Sequence, residues 1–177
     1  YASPGKKLSE QIQQEIKKNY NKPDVLILEN HGLVVGARNC KDALKLLNKV
    51  EELLEAPLSP VRAADLSKLN SIAKETDYLV PEDPELHALA IDSSFLRIAN
   101  GGSLYPDHVV FLGPGICVIE NELDELDQSI NNKKLIVVKG AGILIRKGVS
   151  KADLSMIKCL SDVVRSIQFD SEIKYLS

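Results

Sequence analysis

Two short apolar runs, Val25-Leu26-Ile27-Leu28 and Leu33-Val34-Val35, are separated only by Glu29-Asn30-His31-Gly32. Runs of this length bounded by turn formers read as strands, and so short a link makes the chain reverse at once. The pattern predicts two strands meeting at an Asn-His-Gly corner. Ahead of them Leu8, Ile12, Ile16 and Tyr20 recur every four residues, one stripe of a helix entered through Ser3-Pro4-Gly5 and broken at Asn21-Lys22-Pro23. Beyond them Asn39 is placed to cap a helix with Asp42 at its third position. The apolar face of that helix is Ala43, Leu46, Leu47, Val50, Leu53 and Leu54, and it ends before Pro57.

The remainder repeats these devices. Ser59-Pro60 has the form of a cap followed by a first-turn proline, predicting a helix through Ala63, Leu66, Leu69 and Ile72. Asp83-Pro84 does the same for a helix through Leu86, Leu89, Ala90, Leu96 and Ile98, stopped at Asn100-Gly101-Gly102. Strands are predicted at Val109–Leu112, Ile116–Ile119, Leu135–Val138 and Ile143–Ile145, and Ser150 caps a last helix with Leu154, Ile157, Leu160, Val163, Val164 and Ile167 inward. The expected fold class is α/β, a mainly antiparallel sheet with flanking helices.

Laying Val25 to Leu54 over Leu135 to Val164 gives a gap-free internal echo of strand, glycine-centred turn, strand and helix. Gly32 falls on Gly142, and His31 on Ala141. The echo reads either as a repeat whose second copy lacks the ring nitrogen or as a shared supersecondary pattern.

At 177 residues, 44% of them hydrophobic, the chain has enough apolar surface for a packed core. A formal charge of −3 with acids and bases interspersed leaves no basic tract for a row of phosphates, which argues against a nucleic-acid partner. No apolar stretch approaches the roughly 20 residues needed to span a bilayer, so a cytoplasmic location with no membrane partner is expected. Cys40, Cys117 and Cys159 are odd in number and widely spaced, a pattern of reduced thiols.

Chemistry concentrates at His31. A histidine held between two strands, with Gly32 leaving room beside it, suits a neutral imidazole ligand to zinc, but a lone histidine at a strand corner is more often a hydrogen-bonded packing residue. His108 follows Asp107 ahead of a predicted strand, where it is either an Asp-oriented base or ligand or, on the preferred reading, part of a turn. His87, on a helix among Leu86, Ala88 and Leu89, reads as a surface or packing residue. Gly113-Pro114-Gly115 and Gly140-Ala141-Gly142 lack the third glycine of a dinucleotide fingerprint, and no cofactor-binding residue is assigned. The acidic cluster Glu122, Asp124, Glu125 and Asp127 reads as a solvated face.

Tyr1-Ala2-Ser3-Pro4-Gly5, Leu8-Ser9-Glu10, the run Leu26 to Val35 through Glu29-Asn30-His31-Gly32, Asp42-Ala43 and Val50-Glu51 together resemble the C-terminal part of the class II aldolase/adducin family, which includes fuculose-phosphate aldolase. The resemblance divides the chain into residues 1–57, an aldolase-like half, and residues 58–177, a smaller β-rich α/β extension. Tyr105-Pro106-Asp107-His108 and Lys158 to Val163 resemble an extension found in longer bacterial relatives. In catalytic members the histidine of this corner binds zinc together with two others from an earlier His-x-His motif, alongside a catalytic acidic residue. The resemblance therefore implies a zinc-dependent carbon–carbon lyase acting on a small sugar or sugar phosphate, with His31 as one metal ligand. It also implies a homo-oligomer. This sequence has only His31, His87 and His108 and no His-x-His, and it opens at Tyr1 without an initiating methionine. The expectation is a fragment inactive alone, its other zinc ligands lying in a missing N-terminal half; the alternative is a noncatalytic adducin-like scaffold or assembly subunit.

Overall fold

The computed structural model describes residues 5–18, 22–120, 132–168 and 170–176, which form two compact units, residues 1–56 and 57–177. Among the residues singled out from sequence, Tyr1, Ala2, Ser3, Pro4, Tyr20, Asn21 and the acidic cluster at 122–127 lie outside the described residues.

The first unit is helix, hairpin, helix. Helix α1 spans Lys6–Lys18, strands β1 (Val25–Leu28) and β2 (Gly32–Val35) pair antiparallel, and α2 runs Cys40–Leu54. The reversal is tight because Asn30 adopts φ 58° at the third position of the turn and Gly32 φ 115° just after it. Positive φ is cheap for glycine and tolerated by asparagine, whose short polar side chain can hydrogen-bond to nearby backbone. Asn39 caps α2 as its sequence predicts, its carboxamide oxygen accepting from the Asp42 N–H at 3.0 Å while its Nδ2 donates to the Asp42 carboxylate at 2.8 Å. None of the described residues of this unit is buried, and Ile27, Leu44, Leu53 and Leu54 are each more than half exposed.

The second unit holds α3 (Leu66–Lys74), β3 (Tyr78–Leu79), a 3-10 turn at Pro84–His87, α4 (Ala88–Ile91), α5 (Ser93–Asn100), α6 (Pro106–Leu112), β4 (Cys117–Ile119), β5 (Leu135–Val138), β6 (Gly142–Arg146) and α7 (Lys151–Ser166). Its sheet has the order β3-β6-β5-β4, antiparallel except for the β4–β5 pair. Alternate residues face opposite sides, as the pleat requires. Leu135, Val137, Ile143 and Ile145 join Leu89, Ile98, Ile157 and Leu160 under α4, α5 and α7; Ile136, Val138 and Leu144 join Leu69, Ile72 and Tyr78 beneath α3. Both faces of β5 and β6 are thus buried, which explains their uninterrupted apolar runs.

The α/β class and the mainly antiparallel pairing stand. Several boundaries differ from expectation. Val109–Leu112, read as a strand, is the body of α6, because Pro106 at the first turn presets helical φ and Tyr105 takes the extended cap position. The helix expected from Ser59-Pro60 starts only at Leu66, where the Asp65 carboxylate accepts from the Lys68 N–H at 3.0 Å. The helix expected from Asp83-Pro84 is split by Asp92, which leaves helical conformation and caps α5 through the Ser94 N–H at 2.8 Å. The unit that begins at Pro57 is the longer of the two and carries more helix than strand among its described residues. Ser150 caps α7 in a reciprocal box with Asp153.

The internal echo extends to the backbone. Val25↔Val35 through Leu28↔Gly32 in the first hairpin matches Leu135↔Ile145 through Val138↔Gly142 in the second, pair for pair. Asn30 and Gly140 share positive φ, 58° and 75°, and so do Gly32 and Gly142. The bond that closes each hairpin's open end also repeats, Gly36 N–H to Asp24 carbonyl at 2.8 Å and Arg146 N–H to Lys134 carbonyl at 3.0 Å.

Candidate functional site

His31 is the last residue of the β1–β2 turn, whose closing bond is its own N–H donating to the Leu28 carbonyl at 3.0 Å. The half-buried ring folds back so that Nδ1 lies 3.1 Å from the Glu29 carbonyl oxygen. A carbonyl only accepts, so Nδ1 carries the proton and the lone pair of the neutral ring sits on Nε2, the arrangement that a backbone carbonyl gives many metal-binding imidazoles.

The ring forms part of the wall of a pocket of about 250 Å3 between α1 and β1. Leu8 and Ile12 of α1 and Leu26, Ile27 and Leu28 of β1 make it mostly apolar, and Gln11, Glu15, Glu29 and His31 supply its polar groups. Sequence reasoning found His31 but not Gln11 and Glu15. Their spacing of four places both on one helical face, beside Leu8 and Ile12, a signal readable only once β1 was known to lie along that face.

A catalytic zinc commonly takes three protein ligands. Among the described residues no group of three or more His, Cys, Asp or Glu side chains is placed to hold a metal ion.

The other two histidines lie in the second unit. His108, expected beside Asp107 ahead of a strand, is instead on α6 and fully buried, its ring 5.7 Å from that of Tyr105, while Asp107 is exposed. Burial holds its pKa below the ordinary histidine value, and burial raises the Tyr105 phenol well above its own, with the Cys159 thiol adding to that rise. The turn preferred from sequence is replaced by a buried position within α6. His87 is buried as well, with both ring nitrogens engaged: Nδ1 accepts from the Ile143 N–H at 3.1 Å, and Nε2 lies 3.3 Å from the Pro81 carbonyl.

The turn that matches the His31 corner is closed off. Ala141 is 2% exposed, its carbonyl accepts from the Asp65 N–H at 2.9 Å, and the Gly140 N–H donates to the Ala90 carbonyl at 2.8 Å. No described helix is long and apolar enough to cross a membrane.

Residues 1–58 match the family model described as Class II Aldolase and Adducin N-terminal domain. Searches of curated proteins and of solved structures gave no match.

Proposed function

We propose, from the match of residues 1–58 to the class II aldolase and adducin family model, that the chain is part of a zinc-dependent class II aldolase-like carbon–carbon lyase acting on a small sugar or sugar phosphate. The observation that carries the reading is His31 at the wall of a pocket, its Nδ1 proton committed to the Glu29 carbonyl and its lone pair thereby assigned to Nε2. Zinc, when bound, supplies a Lewis acid for a carbonyl or hydroxyl oxygen.

The chain's own part is narrower. On this reading His31 contributes one nitrogen, its ring oriented by the Glu29 carbonyl beside the apolar wall of Leu8, Ile12 and Leu26. The remaining zinc donors come from outside the described residues, from further sequence of the intact protein or from another subunit of a homo-oligomer. The chain alone is inactive on this reading. A cytoplasmic setting, with no nucleic-acid or membrane partner, belongs to the same proposal.

The absence of a three-donor group among the described residues favours one other reading, a noncatalytic adducin-like scaffold or assembly subunit in which Asn30-His31-Gly32 only shapes the corner. Zinc content of the purified intact protein, with and without His31→Ala, separates the two. Stoichiometric zinc lost in the variant supports the lyase; zinc absent from both, or unchanged by the substitution, supports the scaffold.

A further inference from the structure

His87 joins two parts of the second unit that are distant in sequence. It ends the 3-10 turn at Pro84–His87, and its ring lies on the β5–β6 turn so closely that a Cβ placed on Gly142 would be 2.6 Å from Nδ1. The Ile143 N–H donates to that same Nδ1 at 3.1 Å, so the ring serves as the acceptor for the first amide beyond the turn. On the far side Nε2 donates to the Pro81 carbonyl at 3.3 Å. The Pro81 carbonyl can only accept, so the tautomer is set: proton on Nε2, lone pair on Nδ1.

We infer that His87 is a proton-operated latch on the Ile143 amide at the β6 end of the Gly140–Gly142 turn, fastened while Nδ1 is bare and released when Nδ1 is protonated. A proton taken from solvent onto Nδ1 would face the Ile143 N–H donor across 3.1 Å, and the buried cation would have no new acceptor there. The surroundings offer little to hold that cation. Asp83, from the loop before it, is the charged group acting on the ring. From α3 the neighbour is Leu69, from β6 the Gly142 and Ile143 backbone, and from α4 apolar residues beginning at Ala88. Glu85, on the same 3-10 turn, is engaged by Lys158 and Arg165 of α7.

The sign follows. Burial keeps the folded-state ring below the ordinary histidine value of 6.5. Above 6.5 neither folded nor open chain binds the proton and the latch is fully fastened. As pH falls below 6.5 the open form takes up the proton first, and the closed state loses ground until the folded ring also titrates.

Amide exchange of Ile143 followed by NMR from pH 8 to pH 5, corrected for intrinsic rate, tests this. The expected result is a protection factor that falls about tenfold per pH unit below 6.5, with the dependence absent in His87→Gln, whose carboxamide can still accept from Ile143 and donate to Pro81. A protection factor independent of pH in the parent, or an equal slope in His87→Gln, overturns the inference. Should that variant not fold, imidazole 15N shifts of the parent decide: a ring that stays Nε2–H with bare Nδ1 below pH 6 while Ile143 loses protection supports the latch. Titration at the ordinary value with protection unchanged overturns it.

Discussion

Ala141 stands in the second hairpin where His31 stands in the first: the His31 N–H reaches the Leu28 carbonyl at 3.0 Å, and the Ala141 N–H reaches the Val138 carbonyl at 2.9 Å. The two turns share register and the sign of φ at the flanking positions. A methyl group suffices for this backbone, so the imidazole at position 31 is not what bends the chain.

His31→Ala is accordingly expected to leave the stability of the first hairpin within about 0.5 kcal/mol of the parent, the range of surface substitutions away from packing features. Chemical denaturation measures this alongside metal content. A large loss of stability would mean that the ring's contact with the Glu29 carbonyl supports the corner, and the metal assay could then not be read alone.

Gly140 and Gly142 both have positive φ but differ in what surrounds them. A Cβ at Gly140 meets nothing within 4 Å, so Gly140→Ala is expected to cost about 1 kcal/mol, from backbone strain alone. At Gly142 the Cβ would collide with the His87 ring and with Leu69 at 2.7 Å, and Gly142→Ala is expected to cost about 3 kcal/mol. Urea denaturation of both variants checks the order, and equal costs would show that the ring can give way.

Leu144, fully buried, and Val34, 46% exposed, hold matching places in the two sheets. Leu144→Ala should cost about 3 kcal/mol by leaving a cavity, and Val34→Ala less than about 1. If Val34→Ala proves as damaging, something covers that strand in solution, and hydrogen exchange across β2 would reveal where.

Asp153 is held below its ordinary value of 3.8, first by the Lys134 ammonium donating to it at 2.6 Å and then by Ser150. A depressed carboxylate stabilises the fold fully above its unfolded value and loses that contribution as pH falls through the folded one. Acid unfolding followed by circular dichroism should therefore be shallower below pH 3.8 in Lys134→Met than in the parent. Ser150→Ala should remove about 1 kcal/mol at neutral pH by opening the capping box.

Much of the scaffold was legible because its signals are local. Asn39 with Asp42 and Ser150 with Asp153 announce helix starts through side chains three residues apart, and the two hairpins are announced by apolar runs around glycine-bearing turns. Val109–Leu112 misled because four apolar residues in a row do not distinguish a strand from a helix turn; Pro106, three residues upstream, held the deciding information. Strand β3 escaped because two residues, Tyr78 and Leu79, carry no periodicity, and their pairing with β6 is a tertiary event. At the candidate site the corner and its imidazole could be read from sequence. The pocket wall from α1 could not, because no sequence rule states which helical face meets which strand.

The open first hairpin and the encased second one set different terms for mutation. Positions along β5 and β6 are constrained on both sides by neighbours within the same unit, so their side chains can vary only in concert. Along β1 and β2 the described neighbours impose less, so that single substitutions can be made there without compensating ones. The same bend in the backbone, drawn twice, has left one version committed to the interior and the other open to change from within its own unit.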